Sequence, residues 1–439
     1  MHPLPQFLRM LFALCIIVSP AFVSANWTKL TSPTSEDLNK IIFVDDQHGW
    51  IVGEGGTILR TTNGGDSWEL LNSGIGFNIV GISFIDSLTG WVIGWKNDAP
   101  PIGTLLLSTT NGGDTWSQQL FPQENQILFD IHFFDALHGW VSGRNGIIAS
   151  TTDSGVKWNY SRLDPSMFQF FPVRCLTFYS TKYAFASGGL IDNAGMIWRS
   201  QDYGQNWDVT PIGPEPLYDI HILDSLNILA VGGDFEYGAS VARSTDGGDS
   251  WEYITLAGIN ARGTATAVDF RTDAEAWAAV GTSEKYIISP DSGITWQSFD
   301  TPDSTNLFDI VFMDSLKAFA VGIAGVIYRY DHPVVGISGN PANAPVNFRL
   351  AQNYPNPSNP QTTIFFELET SAHIRLTIFD AAGRQVRTLI DAPQNPGEHR
   401  VFFDGSHLAS GVYFYQLSAI SPTSQQASFS QTRKMLLLK

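Results

Sequence analysis

Asn63-Gly64-Gly65-Asp66-Ser67-Trp68 is the stretch that decides the fold, because it returns, little altered, at five later places. With its neighbours it reads Ser/Thr-x-Asp/Asn-x-Gly-x-x-Trp. The copies begin at Thr61, Thr109, Thr151, Ser200, Ser244 and Ser289 and end at Trp68, Trp116, Trp158, Trp207, Trp251 and Trp296. The third position holds Asn63, Asn111, Asp153, Asp202, Asp246 or Asp291. Such a side chain is expected to bond its own backbone two residues on and seed a tight turn. Glycine supplies positive φ without a steric penalty. Tryptophan then opens the next strand and carries a large apolar ring between sheets. Six copies at near-constant spacing mark a repeat protein.

Upstream of each turn the order is constant. A β-patterned stretch ends in Asp at Asp45, Asp86, Asp135, Asp224 and Asp314, and two divergent versions lie near Phe178 and Phe270. A short second strand follows, such as Gly49-Trp50-Ile51-Val52-Gly53, and then a third, such as Thr57-Ile58-Leu59-Arg60. The turn and the Trp strand complete four strands per unit, an all-β pattern. Seven first-strand stretches stand against six complete turns, and the seventh unit stops at Tyr328-Arg329-Tyr330-Asp331. The missing Trp strand is found at the other end, in Asn26-Trp27-Thr28-Lys29-Leu30. Units of four strands repeating every 41 to 49 residues predict a seven-bladed β-propeller over 26–330, closed by the N-terminal strand.

Flanking segments read differently. Residues 10–18 are apolar, and Ala21-Phe22-Val23-Ser24-Ala25 ends in small residues, so 1–25 reads as a secretory signal peptide cleaved after Ala25. The mature chain keeps one cysteine, Cys175, among Val173, Leu176 and Phe178, the setting of a buried strand thiol. Residues 331–347 are rich in Pro, Gly and Asn and read as a linker. From 348 to 439, strand-like runs separated by turns such as Asn395-Pro396-Gly397 predict a small immunoglobulin-like β-sandwich. The formal net charge is −17, with only 15% of residues charged, which argues against nucleic acid and anionic membrane surfaces as partners.

Both regions resemble known families. The turn motif resembles the Asp-box, or bacterial neuraminidase repeat. The unit Gly49-Trp50-Ile51-Val52-Gly53 followed by Thr61-Thr62-Asn63-Gly64-Gly65-Asp66-Ser67-Trp68 resembles the photosystem II assembly-factor family of propellers, from residue 27 to about 330. That resemblance implies a lumenal assembly chaperone. A third-strand arginine recurs at Arg60, Arg199, Arg243 and Arg329, with Ala149 and Ile288 standing in its place elsewhere, so an intact basic patch is not implied. The C-terminal part resembles the type A sorting domain of the type IX secretion system. It does so through Asn353-Tyr354-Pro355-Asn356-Pro357, Ile378-Phe379-Asp380-Ala381-Ala382-Gly383-Arg384 and Ser410-Gly411-Val412-Tyr413, and through the terminal Lys434-Met435-Leu436-Leu437-Leu438-Lys439. The resemblance implies export through the outer membrane, recognition by the type IX machinery, and a cell-surface or extracellular product.

Chemistry is sparse. A sialidase needs an arginine cluster and a Tyr–Glu pair, and no Phe/Tyr-Arg-Ile-Pro stretch is present. Asp192, Asp234 and Glu236 are candidate carboxylates for a glycosidase acting on polysaccharide, the alternative reading, but they sit in loops where acids are usually solvated. His48 with His138, and His132 with His221, are repeat equivalents rather than a ligand set. The repeated Asp45, Asp86, Asp135, Asp224 and Asp314 stand a unit apart, too far to converge on calcium, and read as turn caps. No metal site, cofactor or catalytic residue is expected.

Topology points to binding instead. Strands alternate, so the links between second and third strands and between units share one face. That face carries the long insertions, near residues 95–102, 162–172, 189–194 and 233–238. Trp95, Phe168, Phe170, Phe235 and Tyr237 are its candidate ligand-binding residues for a partner protein or glycan. A non-catalytic monomer is expected.

Overall fold

The computed structural model describes residues 27–96, 100, 102–122, 125–163, 167–180, 182–332, 348–350, 353, 360–368, 371–380, 384–409, 411–420 and 427–437. The signal peptide and nearly all of the linker predicted from sequence lie outside these residues. The chain divides into two compact units, Met1–Pro333 and Val334–Lys439. Strands dominate both, and the helical segments among the described residues are single 3-10 turns.

Seven sheets are described in the first unit, numbered here in chain order. Sheet 1 is Leu38–Phe43, Gly49–Gly53, Ile58–Thr61 and Glu69–Leu71. Sheet 2 is Ile79–Phe84, Gly90–Lys96, Gly103–Thr109 and Ser117–Leu120. Sheet 3 is Leu128–Phe133, Gly139–Gly143, Ile148–Thr151 and Asn159–Tyr160. Sheet 4 is Val173–Phe178, Ala184–Leu190, Ala194–Ser200 and Asn206–Gly213. Sheet 5 is Leu217–Ile222, Ile228–Asp234, Gly238–Ser244 and Glu252–Thr255. Sheet 6 is Ala265–Phe270, Ala276–Val280, Lys285–Ser289 and Gln297–Asp300. Sheet 7 is Leu307–Phe312, Lys317–Gly322 and Ile327–Asp331, and its fourth strand is Trp27–Lys29, paired antiparallel with Tyr328–Tyr330. The first strands adjoin one another in a cycle, with sheet 7 returning to sheet 1.

Each turn motif is closed by its own side chains. The Thr or Ser hydroxyl donates to the third-position oxygen and accepts the glycine N–H four residues on, both at 2.8–3.0 Å. The third-position oxygen accepts the N–H four residues on, at 2.8–3.0 Å, not the one two residues on. The reason is competition: the nearer amide is already held by the hydroxyl. Gly65 sits at φ +82°, and a Cβ there would stand 2.2 Å from the Phe319 ring. Trp158, Trp207 and Trp296 are buried, with Nε1 donating to the carbonyls of Gly155, Gly204 and Gly293 at 2.9–3.0 Å. Trp68 is buried as well, whereas Trp116 and Trp251 are half-buried. Asp45, Asp86, Asp135, Asp224 and Asp314 each accept two backbone N–H groups at 2.7–2.9 Å, so they cap the turn between first and second strands.

Neighbouring sheets are stitched at two radii. Towards the outside, third-strand arginines reach the turn motif of the next sheet: Arg60 to Asp114 at 2.8 Å, Arg199 to Asp249 at 2.5 Å, Arg243 to the Ser292 carbonyl at 2.9 Å, and Arg329 to Asp66 at 3.1 Å. These side chains are engaged in structure rather than offered as a patch. The register corrects one equivalence: Trp50 faces Arg60 and Trp140 faces Ser150, so Ser150, not Ala149, occupies the arginine position in sheet 3. On the inside, Asp130, Asp219, Asp269 and Asp309 accept the amides of Leu176, Val268, Phe312 and Ile41 from the following sheet at 2.7–2.8 Å. Ser83 does the same for Phe133 at 2.9 Å.

Three loops differ from expectation. Arg162–Leu163 is a short strand that pairs in parallel with Asn206 and Trp207, giving sheet 4 a fifth strand. The segments near 189–194 and 233–238 are not long loops. Their strands extend to Leu190 and Asp234 and resume at Ala194 and Gly238, leaving three-residue turns.

In the second unit two sheets share one core. One holds Phe348–Leu350, Gln361–Leu368 and Gly397–Asp404. The other holds Gln385–Gln394, Ala372–Asp380, Gly411–Ile420 and Ala427–Leu437. Ile364, Phe366 and Phe403 from the first pack with Leu376, Tyr415 and Met435 from the second. Period-2 alternation in Gln361–Leu368, with Thr362, Ile364, Phe366 and Leu368 buried, shows why this segment is a strand covered on one side. Lys434, Met435, Leu436 and Leu437 belong to the last strand, with Met435 and Leu437 fully buried, whereas Leu438 and Lys439 lie outside the described residues.

Candidate functional site: the inter-sheet loop face

A β-bulge interrupts the first strand of each of sheets 1 to 7 at its second residue. A bulge leaves one residue outside the ladder and re-aims it. The seven bulged residues are Asn39, Val80, Phe129, Arg174, Tyr218, Thr266 and Phe308, and all line one axial cavity of about 250 Å³. They stand at the strand ends that meet the links between sheets, so this cavity opens towards the loop face.

Charge in this cavity is layered. At the mouth, the Arg174 guanidinium lies 4.4 Å from the centre of the Tyr218 ring and 5.5 Å from that of Phe129. Its Nε is buried without a hydrogen-bond partner, and burial, with Arg144 nearby, draws the guanidinium below its ordinary pKa. Deeper in, Lys40 is paired with Asp130 at 2.8 Å. Burial alone would lower its pKa, but Asp130 and Asp219 outweigh that and raise it. Burial pushes Asp309 up to about 7, against the pull of the Ile41 amide and Lys40. Cys175 Sγ lies 3.1 Å from Asp219 Oδ1, and burial first, then Asp219, raises the thiol well above its ordinary value. A thiol so held is inert as a nucleophile. Outside the cavity lining, half-buried His132 is stacked on Phe178, and desolvation lowers it to about 4.

The five aromatics singled out from sequence separate into two groups. Trp95 is packed down, with Nε1 donating to the Leu128 carbonyl at 2.6 Å and its ring edge-on to Phe129. Phe168 packs against the sheet 4 core, edge-on to Phe171. Phe170, Phe235 and Tyr237 stand free, 66%, 69% and 55% exposed. Phe170 borders a cavity with Ile147, Tyr160 and Leu163, and Tyr237 borders another with Asp192, Glu215 and Ser240. The aromatics therefore divide between separate places on the loop face rather than forming one patch, and none of the five lines the axial cavity.

Sequence reading missed Arg174, the inner aspartates and Glu215. The aspartates left a signal, since Leu-x-Asp-Ile recurs at 128–131, 217–220 and 307–310, a charge inside an apolar strand. Asp234 is 7% exposed and Glu215 2%, so neither is a solvated loop acid; Asp192 and Glu236 are exposed.

Comparison with known proteins agrees with this architecture. A family model described as photosynthesis system II assembly factor YCF48 matches residues 19–122, 68–214 and 224–331. A second, the secretion system C-terminal sorting domain, matches 352–428, so the chain carries an export tail. The photosystem II assembly lipoprotein Ycf48 of Picosynechococcus sp. is 28% identical over 346 residues, covering 72% of this chain and 92% of that protein. Its counterpart in Trichormus variabilis is 24% identical, with 74% and 92% covered. Among solved structures, YCF48 bound to D1 peptide superposes with a TM-score of 0.56 at 23% identity, over 71% of this chain and 99% of that one. YCF48 from Cyanidioschyzon merolae gives 0.56 at 22%, with 71% and 99% covered. A GH74 xyloglucanase from Xanthomonas campestris gives 0.54 at 10% identity, with 77% and 59% covered, a likeness of fold alone. The first unit is thus propeller-like and non-enzymatic in its kinship, and the chain belongs to the photosynthesis system II assembly factor YCF48 family.

Proposed function

We propose that this protein is an exported, non-catalytic, seven-bladed propeller that holds a carboxylate-bearing segment of a partner protein at its axial mouth. The cyclic contact of the first strands and the pairing of Trp27–Lys29 with Tyr328–Tyr330 support the ring and its closure. Two sheets around one core support an immunoglobulin-like sandwich at 348–439, joined to the propeller at 26–330 by the linker 331–347. The sorting-domain match supports delivery by the type IX machinery to the cell surface or medium.

The observation that carries the binding reading is Arg174. It is a guanidinium without an ion pair among the described residues, set between two aromatic rings at the centre of a rigid ring of strands. A desolvated arginine with an open donor fork recognises a carboxylate far better than a solvated one. Phe170, Phe235 and Tyr237 add exposed apolar contact elsewhere on the loop face. The structural relative solved with a bound D1 peptide lends support to a peptide-like partner over a glycan.

The test uses the full-length secreted chain on a peptide array, a glycan array and a polysaccharide hydrolysis panel. Acidic peptides should bind, and Arg174→Ala should abolish that binding with an unchanged melting temperature. Binding confined to glycans, hydrolysis, or peptide binding untouched by Arg174→Ala would overturn the reading.

A further inference from the structure

We propose that the wedge between sheets 4 and 5 is a docking site for a segment of a partner protein that inserts an aromatic side chain and sets a lysine or arginine beside it. The wedge opens on the face of the turn motifs and Asp caps, opposite the loops. It stands apart from the axial cavity and does not depend on the carboxylate reading above.

The register of the sheets shows what is missing there. In six sheets the first strand ends in phenylalanine, at Phe43, Phe84, Phe133, Phe178, Phe270 and Phe312, each opposite a Gly or Ala of the second strand. Sheet 5 instead pairs Ile222 with Ile228. A ring lying over so small a residue can reach across to the preceding sheet. At five junctions it meets a Trp or Phe there, with ring centres 3.7–5.4 Å apart. Two isoleucines side by side extend less far. Sheet 4 also offers the smaller Phe185 where sheets 1, 2, 3 and 6 offer tryptophan. A cavity of about 360 Å³ remains, with buried Phe185 and Ile228 and half-buried Ile222 at its floor. Protein interiors are otherwise close-packed, so the neighbouring junctions define what fits this gap: one flat apolar ring.

The rim is made of tyrosines that the other sheets lack. Exposed Tyr179 and Tyr183 line the cavity, with exposed Leu226 across from them on sheet 5. Where Tyr183 stands, the other sheets carry His, Thr, Asn, Glu or Lys. Tyr203 continues the row, its N–H donating to the Lys182 carbonyl at 3.3 Å. It sits at φ +65°, in the motif position held by Gly64, Gly112 and Gly247. A bulky side chain is strained there, and such strain gathers at functional sites. Exposed tyrosines around an apolar slot are favoured anchors of protein interfaces.

Charge specifies the neighbour of the inserted ring. Asp224 and Asp246 line the cavity, and Arg199, which lines it too, is paired with Asp249. The other cation is Lys182, with Nζ 5.3 Å from the centre of the Tyr183 ring. Negative charge remains in excess, on a chain of net charge −17. A basic residue suits both that field and the tyrosine faces. A sugar ring, which also stacks on tyrosine, would find no hydrogen-bond partner on the apolar floor.

The test measures binding of the full-length chain to short amidated peptides that hold one Phe beside Lys and contain no Asp or Glu. Controls replace the Phe by Ser or the Lys by Glu. The Phe–Lys peptide should bind about tenfold more tightly than either control. Tyr183→Ala and Leu226→Ser, both at the exposed rim, should each weaken it by a similar factor. Ile222→Phe combined with Ile228→Ala rebuilds the arrangement of sheets 4, 6 and 7 and closes the slot from within. That double variant should abolish binding without lowering the melting temperature. Acidic peptides should still bind all these variants through Arg174, so the two readings fail separately. Equal binding of the Phe–Lys peptide and its Ser control would overturn the site. So would an affinity unchanged by Tyr183→Ala and Leu226→Ser. Glycan binding that these variants abolish, in the absence of peptide binding, counts against the inserted aromatic equally.

Discussion

Asp309 and Ile41 stand 268 residues apart in sequence, yet the Asp309 carboxylate accepts the Ile41 backbone N–H at 2.8 Å. This bond joins the innermost strand of the last sheet to that of the first. At the outer edge of the last sheet, Trp27–Lys29 pairs with Tyr328–Tyr330. Inner and outer fastenings are chemically unlike, and they make different predictions.

The inner one is sensitive to pH. Burial holds Asp309 at about 7, with Lys40 and Asp219 facing it. The folded chain therefore keeps a proton that the unfolded chain releases near pH 4. Stability from this group falls as pH rises from about 4 to about 7 and is flat above that. Asp309→Asn cannot ionise, so its melting temperature relative to the parent should improve by several °C between pH 5 and 8. Buried Asp269, also raised, leaves a residual slope in both proteins. A difference between the two proteins that does not change with pH would exclude this account.

At the outer fastening, Trp27 lies 5.7–6.3 Å from the rings of Trp277, Tyr286, Tyr328 and Tyr330. Removing residues 26–31 strips this cluster of its centre and leaves Tyr328–Tyr330 as an open edge. The melting temperature of the shortened chain should drop by roughly 10 °C, and Trp27→Ala should reproduce part of the drop. Equal melts for parent and shortened chain would mean that the strand closes nothing.

The turn-motif tryptophans test packing between sheets. Trp158 is 7% exposed and meets Phe121 and Phe133. Trp158→Ala should destabilise by about 3–5 kcal/mol in chemical denaturation. Substitution of half-buried Trp116 should cost less.

Two glycines make a matched pair. Gly65 has φ +82° and a ring atom of Phe319 2.2 Å from any added Cβ, whereas Gly76 has open space around it. Gly65→Ala should cost about 2 kcal/mol or more, through backbone strain and overpacking together. Gly76→Ala should be neutral within about 0.5 kcal/mol. Similar effects at both positions would contradict the close approach of Phe319 to the turn.

Much of this was legible without coordinates. The hydroxyl, the third-position oxygen and the glycine amide of each turn motif lie within five residues, so their bonds were written into one short stretch. The Asp45-type caps were legible for the same reason. Even so, competition between Thr61 and Asn63 for the Gly65 amide shifted the asparagine bond to Ser67, a detail that only geometry reveals. Arg60, Arg199, Arg243 and Arg329 were visible as a series, but their acceptors lie on the next sheet, beyond any local pattern.

Sequence alone, then, determined the strand-and-turn unit, its repetition and the export tail, because each is encoded by contacts within a few residues or by a contiguous motif. Tertiary structure decided which side chains share a site. The bulge that aims Arg174 inwards, the burial that holds Asp309 near neutral and the meeting of Phe185 and Ile222 at one cavity all require distant segments to converge. Convergence also removes water, and it is the loss of water that turns an ordinary aspartate or arginine into an unusual one.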